Sequence, residues 1–329
     1  MEVDIMALNA AIKQESQFVE RMLVEVSKVV VGQKEMVEGI LMGLLTGGHV
    51  LLEGVPGLAK TLTISSVSQS ISLDFQRVQF TPDLLPTDLI GTMIFNPKSG
   101  EFVPRKGPIF TNIVLADEIN RAPAKVQSAL LEAMAEKQVT IGEESYKLEN
   151  PFLVLATQNP LEQEGTYPLP EAQMDRFMFK INVGYPTKAE ELEIVNRMGR
   201  NEKPQIQPVI TKEDLLRASE RIDQIYVDNK VKNYIVEIVM ASRHPAEHGL
   251  SSIKNLLSVG GSPRASISLI RSAKAHAFLR GRGYVTAEDI KAIAYNVLRH
   301  RLILTYEAEA ENIKSDEIIK EILGSIEVP

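Results

Sequence analysis

The sequence predicts an α/β fold: a parallel five-stranded sheet with helices, two β-hairpin insertions, and then an all-helical domain. Three observations predict it. Five short apolar runs, at 49–53, 75–80, 113–116, 152–157 and 177–183, are continuous and rich in Val, Ile, Leu and Phe, as buried parallel strands are. A helical pattern at 124–136 lies between two of them, and strands separated by helices imply a parallel sheet. After Tyr185-Pro186 the strand signals fade and helix starts take over.

The first run, His49-Val50-Leu51-Leu52, leads into Gly54-Val55-Pro56-Gly57-Leu58-Ala59-Lys60-Thr61, with a helical segment from Leu62 behind it. Strand, glycine-rich loop and helix in that order hold a nucleotide triphosphate. Backbone N–H groups face the phosphates, the lysine neutralises them and the threonine hydroxyl ligates magnesium. The usual pattern has glycine before the lysine. Ala59 adds a Cβ there, so the loop is expected to take a conformation that alanine tolerates.

Two segments interrupt the alternation. Pieces at 92–95 and 101–103 surround Asn96-Pro97-Lys98-Ser99-Gly100, and pieces at 138–141 and 145–148 flank Gly142-Glu143-Glu144; each reads as a hairpin. The helix at 124–136 opens with Pro123 in a first-turn position and places Val126, Ala129, Leu130, Ala133 and Met134 on one face. In the helical part, Thr211-Lys212-Glu213-Asp214 and Thr286-Ala287-Glu288-Asp289 both read as variant capping boxes. Behind the second, Ile290, Ile293, Ala294, Val297 and Leu298 form one stripe. The expected domains are therefore 1–186, the α/β core, and 187–329, the helical domain.

Composition narrows the classes. At 329 residues the chain can build two domains. The absence of cysteine excludes disulfides, thiolate metal sites and thiol nucleophiles, and suits a cytoplasmic location. Met1-Glu2-Val3-Asp4 gives no basic signal-peptide start, and the longest apolar stretch, 39–52, is broken by Gly47, Gly48 and His49 before it could span a bilayer. A net charge of −7 opposes general attraction to nucleic acid.

Two further strands end in chemistry. Ile113-Val114-Leu115-Ala116 runs into Asp117-Glu118. At the end of a parallel strand the aspartate can hold the Mg²⁺ shell and the glutamate can orient the attacking water. Phe152-Leu153-Val154-Leu155-Ala156-Thr157 runs into Gln158-Asn159-Pro160, from which Asn159 can reach the γ-phosphate or the water. The plain readings are a solvated Asp-Glu pair and a turn asparagine before proline.

Together with Gln173-Met174-Asp175-Arg176-Phe177 and Gly261-Ser262-Pro263-Arg264-Ala265, these motifs resemble an AAA+ ATPase. The wording of the loop, with Ala59, and of Asp117-Glu118-Ile119-Asn120-Arg121-Ala122-Pro123 resembles the MoxR family of the helix-2-insert group. The resemblance runs from about Val30 to about Arg301. It implies that Gly54, Val55, Pro56, Gly57, Leu58, Ala59, Lys60, Thr61 and Leu62 bind the nucleotide. It implies that Thr61 and Asp117 hold Mg²⁺, that Glu118 activates water and that Asn159 is sensor 1. Arg176 would be an arginine finger in the neighbouring subunit's site, and Arg264 would be sensor 2, in cis or in trans. Gly32, within Val31-Gly32-Gln33, would line the adenine. Arg121 reads better as a structural ion pair than as a contact in trans.

The resemblance further implies a homo-oligomer, a hexamer, with chaperone-like action on client proteins and partners carrying a von Willebrand factor A domain. A nucleic-acid motor on the same fold would need a basic hairpin tip, and Glu143 and Glu144 oppose that. A chelatase-type subunit would need partners this chain does not reveal, and a scaffold that binds ATP without turnover is at odds with a full set of hydrolytic residues. His244 and His248 stand four apart across Pro245 with no third ligand following, which does not make a zinc helix.

Overall fold

The computed structural model describes residues 5–160, 165–199 and 204–329. The acidic start at 1–4 lies outside them. The chain divides into two compact units. One, Arg21–Phe177 with Ile181–Leu215, carries the main sheet. The other gathers the chain up to Glu20, Met178–Lys180 and Leu216–Pro329, and is mostly helical.

In chain order the strands are β1 (His49–Glu53), β2 (Phe75–Gln79), β3 (Gly91–Asn96), β4 (Glu101–Lys106), β5 (Ile113–Asp117), β6 (Gln138–Ile141), β7 (Glu144–Lys147), β8 (Leu153–Gln158) and β9 (Phe177–Asn182). The main sheet runs β2-β5-β8-β1-β9. All five expected strands are in it. Val50 pairs with Leu155, Leu115 with Leu155 and Val78 with Ala116, each in a parallel ladder. The central strands β1, β5 and β8 are buried until their last residues and mostly apolar, with His49 and Thr157 the buried polar exceptions. The edge strand β2 differs: only Val78 is buried, and Gln76, Arg77 and Gln79 are exposed.

The helix Ala124–Glu136 occupies the expected span. It buries Val126, Leu130, Leu131, Ala133 and Met134, each large side chain contributing about 1.5–3 kcal/mol. Ala129 is only partly buried, and Leu131 joins the core instead. His49 joins this helix to the sheet. Its Nδ1 accepts the Val154 amide at 3.0 Å, which leaves Nε2 as the donor to the Met134 carbonyl at 3.2 Å. Burial pushes the imidazole pKa down to about 4, against the opposing pull of the Met134 carbonyl.

Both hairpins form. In β3–β4, Phe95 faces Phe102 with ring centroids 5.5 Å apart. In β6–β7, Ile141 pairs with Glu144, so Glu144 belongs to the strand and the turn is Gly142-Glu143.

In the helical unit, Asn229–Arg243, Pro263–Leu279, Ala287–Leu298 and Ser315–Ser325 pack together. The helix Ile5–Glu15, which precedes every expected element, joins them: Asn9 Oδ1 accepts the Gly283 amide at 2.9 Å. Thr286 and Asp289 make the expected capping box, and Ile290, Ile293, Ala294, Val297 and Leu298 are all buried. Burial pushes the Asp289 carboxyl up, but bonds from His276 and Arg282, with the Thr286 amide, outweigh it and hold the group well below the usual carboxylate range. A short ribbon of β10 (Leu257–Val259) and β11 (Ile303–Leu304) adds an antiparallel pair to this otherwise helical part. His248 pairs with Glu237 at 3.1 Å.

Candidate functional site

In a parallel sheet the crevice beyond the carboxyl ends of the strands is the place for a ligand. Here β1, β5 and β8 are neighbours, so the loop after β1, the Asp117-Glu118 pair and Asn159 meet at one end. Pro56, Gly57, Leu58, Ala59, Lys60, Thr61 and Leu62 line a cleft of about 410 Å³ with Asp117, Glu118 and Asn159. Gly54 and Val55 begin the loop behind that lining. A Cβ on Gly54 would come within 2.7 Å of the Val183 carbonyl, so glycine is required there.

Ala59 corrects an expectation. It has φ 55° and ψ 21°, the left-handed region that alanine adopts only at a cost on the order of 1 kcal/mol. The position demands what glycine supplies, and alanine holds it under strain. The helix Lys60–Ser70 starts directly after it, and Thr63 donates its amide to the Ala59 carbonyl at 2.9 Å. The helix N-terminus therefore faces the cleft, a favourable setting for phosphate.

Lys60 is half-buried, and its Nζ donates to the Gly54 carbonyl at 2.7 Å. Burial pushes its pKa down, while the nearby Asp117 and Glu118 carboxylates oppose that. Asp117 Oδ1 accepts the Thr157 hydroxyl at 2.6 Å, and Thr157 Oγ1 accepts the Glu118 amide at 2.8 Å. One hydroxyl thus fixes both acidic residues. Glu118 stands at φ 56° and ψ 52°, a second strained residue at the cleft. Its Oε2 accepts from Gln79 Nε2 at 2.8 Å and from Arg121 Nη1 at 3.0 Å. Arg121 is therefore in an ion pair within its own chain, and the partner is the candidate water-activating carboxylate. Asn159 is 7 % exposed, anchored at the end of β8.

The remaining expected residues lie elsewhere. Gly32 lines a separate cleft of about 190 Å³ with Gln33, Gly184, Tyr185 and Glu190. There Gly32 has φ +68°, and a Cβ would come within 2.7 Å of Glu190 Oε1. Arg176 is exposed between the short helix Glu171–Met174 and β9, with Nη1 donating to the Leu131 carbonyl at 2.7 Å, and it does not line its own chain's cleft. Arg264 belongs to the helical unit, exposed on the first turn of Pro263–Leu279.

Three residues have no functional counterpart in the sequence reading: Arg77 and Thr157, which line the cleft, and Gln79, which bonds Glu118. Polar residues at 76, 77 and 79 inside an otherwise strand-like run were the available signal for Arg77 and Gln79. The donor set suits a hard divalent cation: a carboxylate and a hydroxyl line one cleft, and Asp117 already attracts a cationic side chain, Arg77. Among the described residues no cluster of three or more His, Asp or Glu side chains offers a second metal site, and no helix is long and apolar enough to cross a membrane.

Residues 49–179 match the model of the ATPase family associated with various cellular activities, and 251–322 match an AAA lid domain. The Chaperone MoxR1 of Mycobacterium tuberculosis is 49% identical over 94% of this chain and 82% of its own. The Protein MoxR of Methylorubrum extorquens is 29% identical over 93% of each chain. A crystal structure of a proposed ATPase from Cytophaga hutchinsonii superposes with a TM-score of 0.92 at 52% identity, covering 98% of both chains.

Proposed function

The chain belongs to the MoxR family of AAA+ ATPases, and from that premise we propose that it hydrolyses ATP at a seam between two copies of itself and uses the cycle to remodel client proteins. The observation that supports this most is the single cleft lined by Lys60, Thr61, Asp117, Glu118 and Asn159. The loop amides from Gly54 onward would cradle the phosphates, with Gly32 beside the base. Lys60 would leave the Gly54 carbonyl and pair with phosphate oxygens. Mg²⁺, held by Thr61 and Asp117, would neutralise charge on the phosphoryl oxygens. Glu118 would accept a hydrogen bond from the attacking water, and Asn159 would orient that water against the γ-phosphate. The bonds from Gln79 and Arg121 both fall on Oε2 of Glu118, and their release would leave both oxygens to the water.

Arg176, exposed on a rigid mount ahead of β9, would reach the γ-phosphate bound to a neighbouring subunit; its planar, permanent charge suits that role better than a lysine would. Arg264 would contact nucleotide from the helical part, in cis or in trans. The assembly we propose is a hexameric ring in the cytoplasm, acting on protein clients that include von Willebrand factor A domain proteins. The division into an α/β core at 1–186 and a lid at 187–329 is part of the same proposal.

Glu118→Gln tests the chemistry. It keeps the side-chain shape and removes the charge. Turnover is expected to fall by about 10²–10⁴ while ATP stays bound. Undiminished turnover removes Glu118 from its role.

A further inference from the structure

Both oxygens of Asp117 are engaged. Oδ2 accepts two N–H bonds from Arg77, from Nε at 3.0 Å and Nη2 at 2.6 Å, and Oδ1 accepts the Thr157 hydroxyl. The same Arg77 Nη2 donates to Gln79 Oε1 at 2.9 Å, and Gln79 Nε2 donates to Glu118 Oε2 at 2.8 Å. One unbroken hydrogen-bonded path therefore runs from the carboxylate assigned to the cation to the carboxylate assigned to the water.

The strand geometry explains the path. Side chains two apart on a strand share a face, so Arg77 and Gln79 project together from β2. The register sets Gln79 beside Asp117 on the adjacent β5. Neither side chain is needed for the apolar core, since both are exposed at the sheet edge.

A guanidinium and a divalent cation seek the same lone pairs and repel each other. They cannot share Asp117 Oδ2, so binding of one must weaken the other, and the coupling is reciprocal. Resting on the reading of Asp117 as the cation ligand, we propose that Arg77 gates the cation site. Arg77 holds Asp117 until a divalent cation displaces it. Its departure takes the donor from Gln79 Oε1, which frees the amide to turn and drop its bond to Glu118, leaving the bond from Arg121 in place. Arg77 is thus a positioning residue, acting through Asp117 and Gln79, that ties the loosening of one of the two bonds on the water-activating carboxylate to arrival of the metal.

An exposed ion pair alone would carry little energy. Here two charge-assisted N–H bonds converge on one oxygen, Oδ2, of a carboxylate side chain only 15% exposed, which strengthens the pair. A second role open to an arginine at this cleft, direct pairing with phosphate, makes the opposite prediction about nucleotide affinity.

The test is Mn²⁺ binding to the full chain loaded with ADP, read by electron paramagnetic resonance. Arg77→Ala should bind Mn²⁺ roughly three- to tenfold more tightly than the parent. Poor folding lowers affinity, so a gain is not confounded by it. ADP affinity in EDTA should stay within about twofold of the parent's. Gln79→Ala should tighten Mn²⁺ by a smaller factor in the parent and by none in the Arg77→Ala background, because the two residues act in series. Mn²⁺ affinity that is unchanged or weaker in Arg77→Ala overturns the gate. A tenfold or greater loss of ADP affinity in EDTA overturns it in favour of phosphate binding. Equal effects of Gln79→Ala in both backgrounds overturn the coupling of Gln79 to Arg77, and with it the path to Glu118. Asp117→Asn separates the two readings: if it leaves the parent's Mn²⁺ affinity intact, the assignment of Asp117 itself is wrong.

Discussion

Two residues at the cleft sit in left-handed backbone without being glycine, Ala59 and Glu118. Such strain persists where the surroundings over-determine it, and it concentrates at sites of function. For Glu118 the surroundings are visible: the Thr157 hydroxyl takes its amide, and Gln79 and Arg121 take its carboxylate. For Ala59 they are the last turn of loop before Lys60. Removing its Cβ should relieve the strain. Ala59→Gly is expected to raise the unfolding free energy by up to about 1 kcal/mol, the cost of the left-handed Cβ less the added freedom of the unfolded chain. Denaturant unfolding checks it; a loss of that size would mean that the methyl group is packed to advantage.

The helix Ala124–Glu136 and strands β1 and β8 depend on one imidazole, and this gives a pH signature. His49 is neutral in the fold, with its pKa pushed down to about 4 from 6.5. Below 6.5 the unfolded chain binds a proton that the folded one refuses until about 4. The unfolded state therefore binds more protons in that window, and stability falls as pH falls through it, by about 3 kcal/mol in all. Above 6.5 the contribution is complete. His49→Gln should remove this slope when unfolding free energy is followed from pH 7 to 4; an unchanged slope would place the titration elsewhere. The same elements show what can be read from sequence. β1, β5 and β8 were legible because apolar continuity and terminal polar residues are local signals, and the Lys60 loop and the Asp117-Glu118 pair were legible because their chemistry is contiguous. Arg77, Gln79 and Thr157 were not, since strand pairing brings them to Asp117 and Glu118 from about forty residues away. The helix Ile5–Glu15 was missed for a related reason: its partners lie at the other end of the chain, as Arg221 does for Glu15.

At the scale of the molecule, one chain supplies the loop, the two carboxylates and Asn159 to its own cleft, but not Arg176. That arginine stays on the surface beside the Leu131 carbonyl, a position that suits contact with another copy. In the proposed function the chemistry is divided between subunits: Lys60 would clamp the triphosphate and the neighbour's Arg176 would complete the site. Such a residue is worth on the order of 10³–10⁵ in rate in other phosphoryl-transfer systems. The direct test is ATP turnover by mixed assemblies of Lys60→Ala and Arg176→Ala chains, co-purified through two different tags. Each variant alone should be inactive. In the mixture, a chain with intact Lys60 can meet a neighbour with intact Arg176, and turnover should rise at least about tenfold above either variant. A mixed assembly no more active than its two components, or an Arg176→Ala protein as fast as the parent, would contradict a site shared between copies.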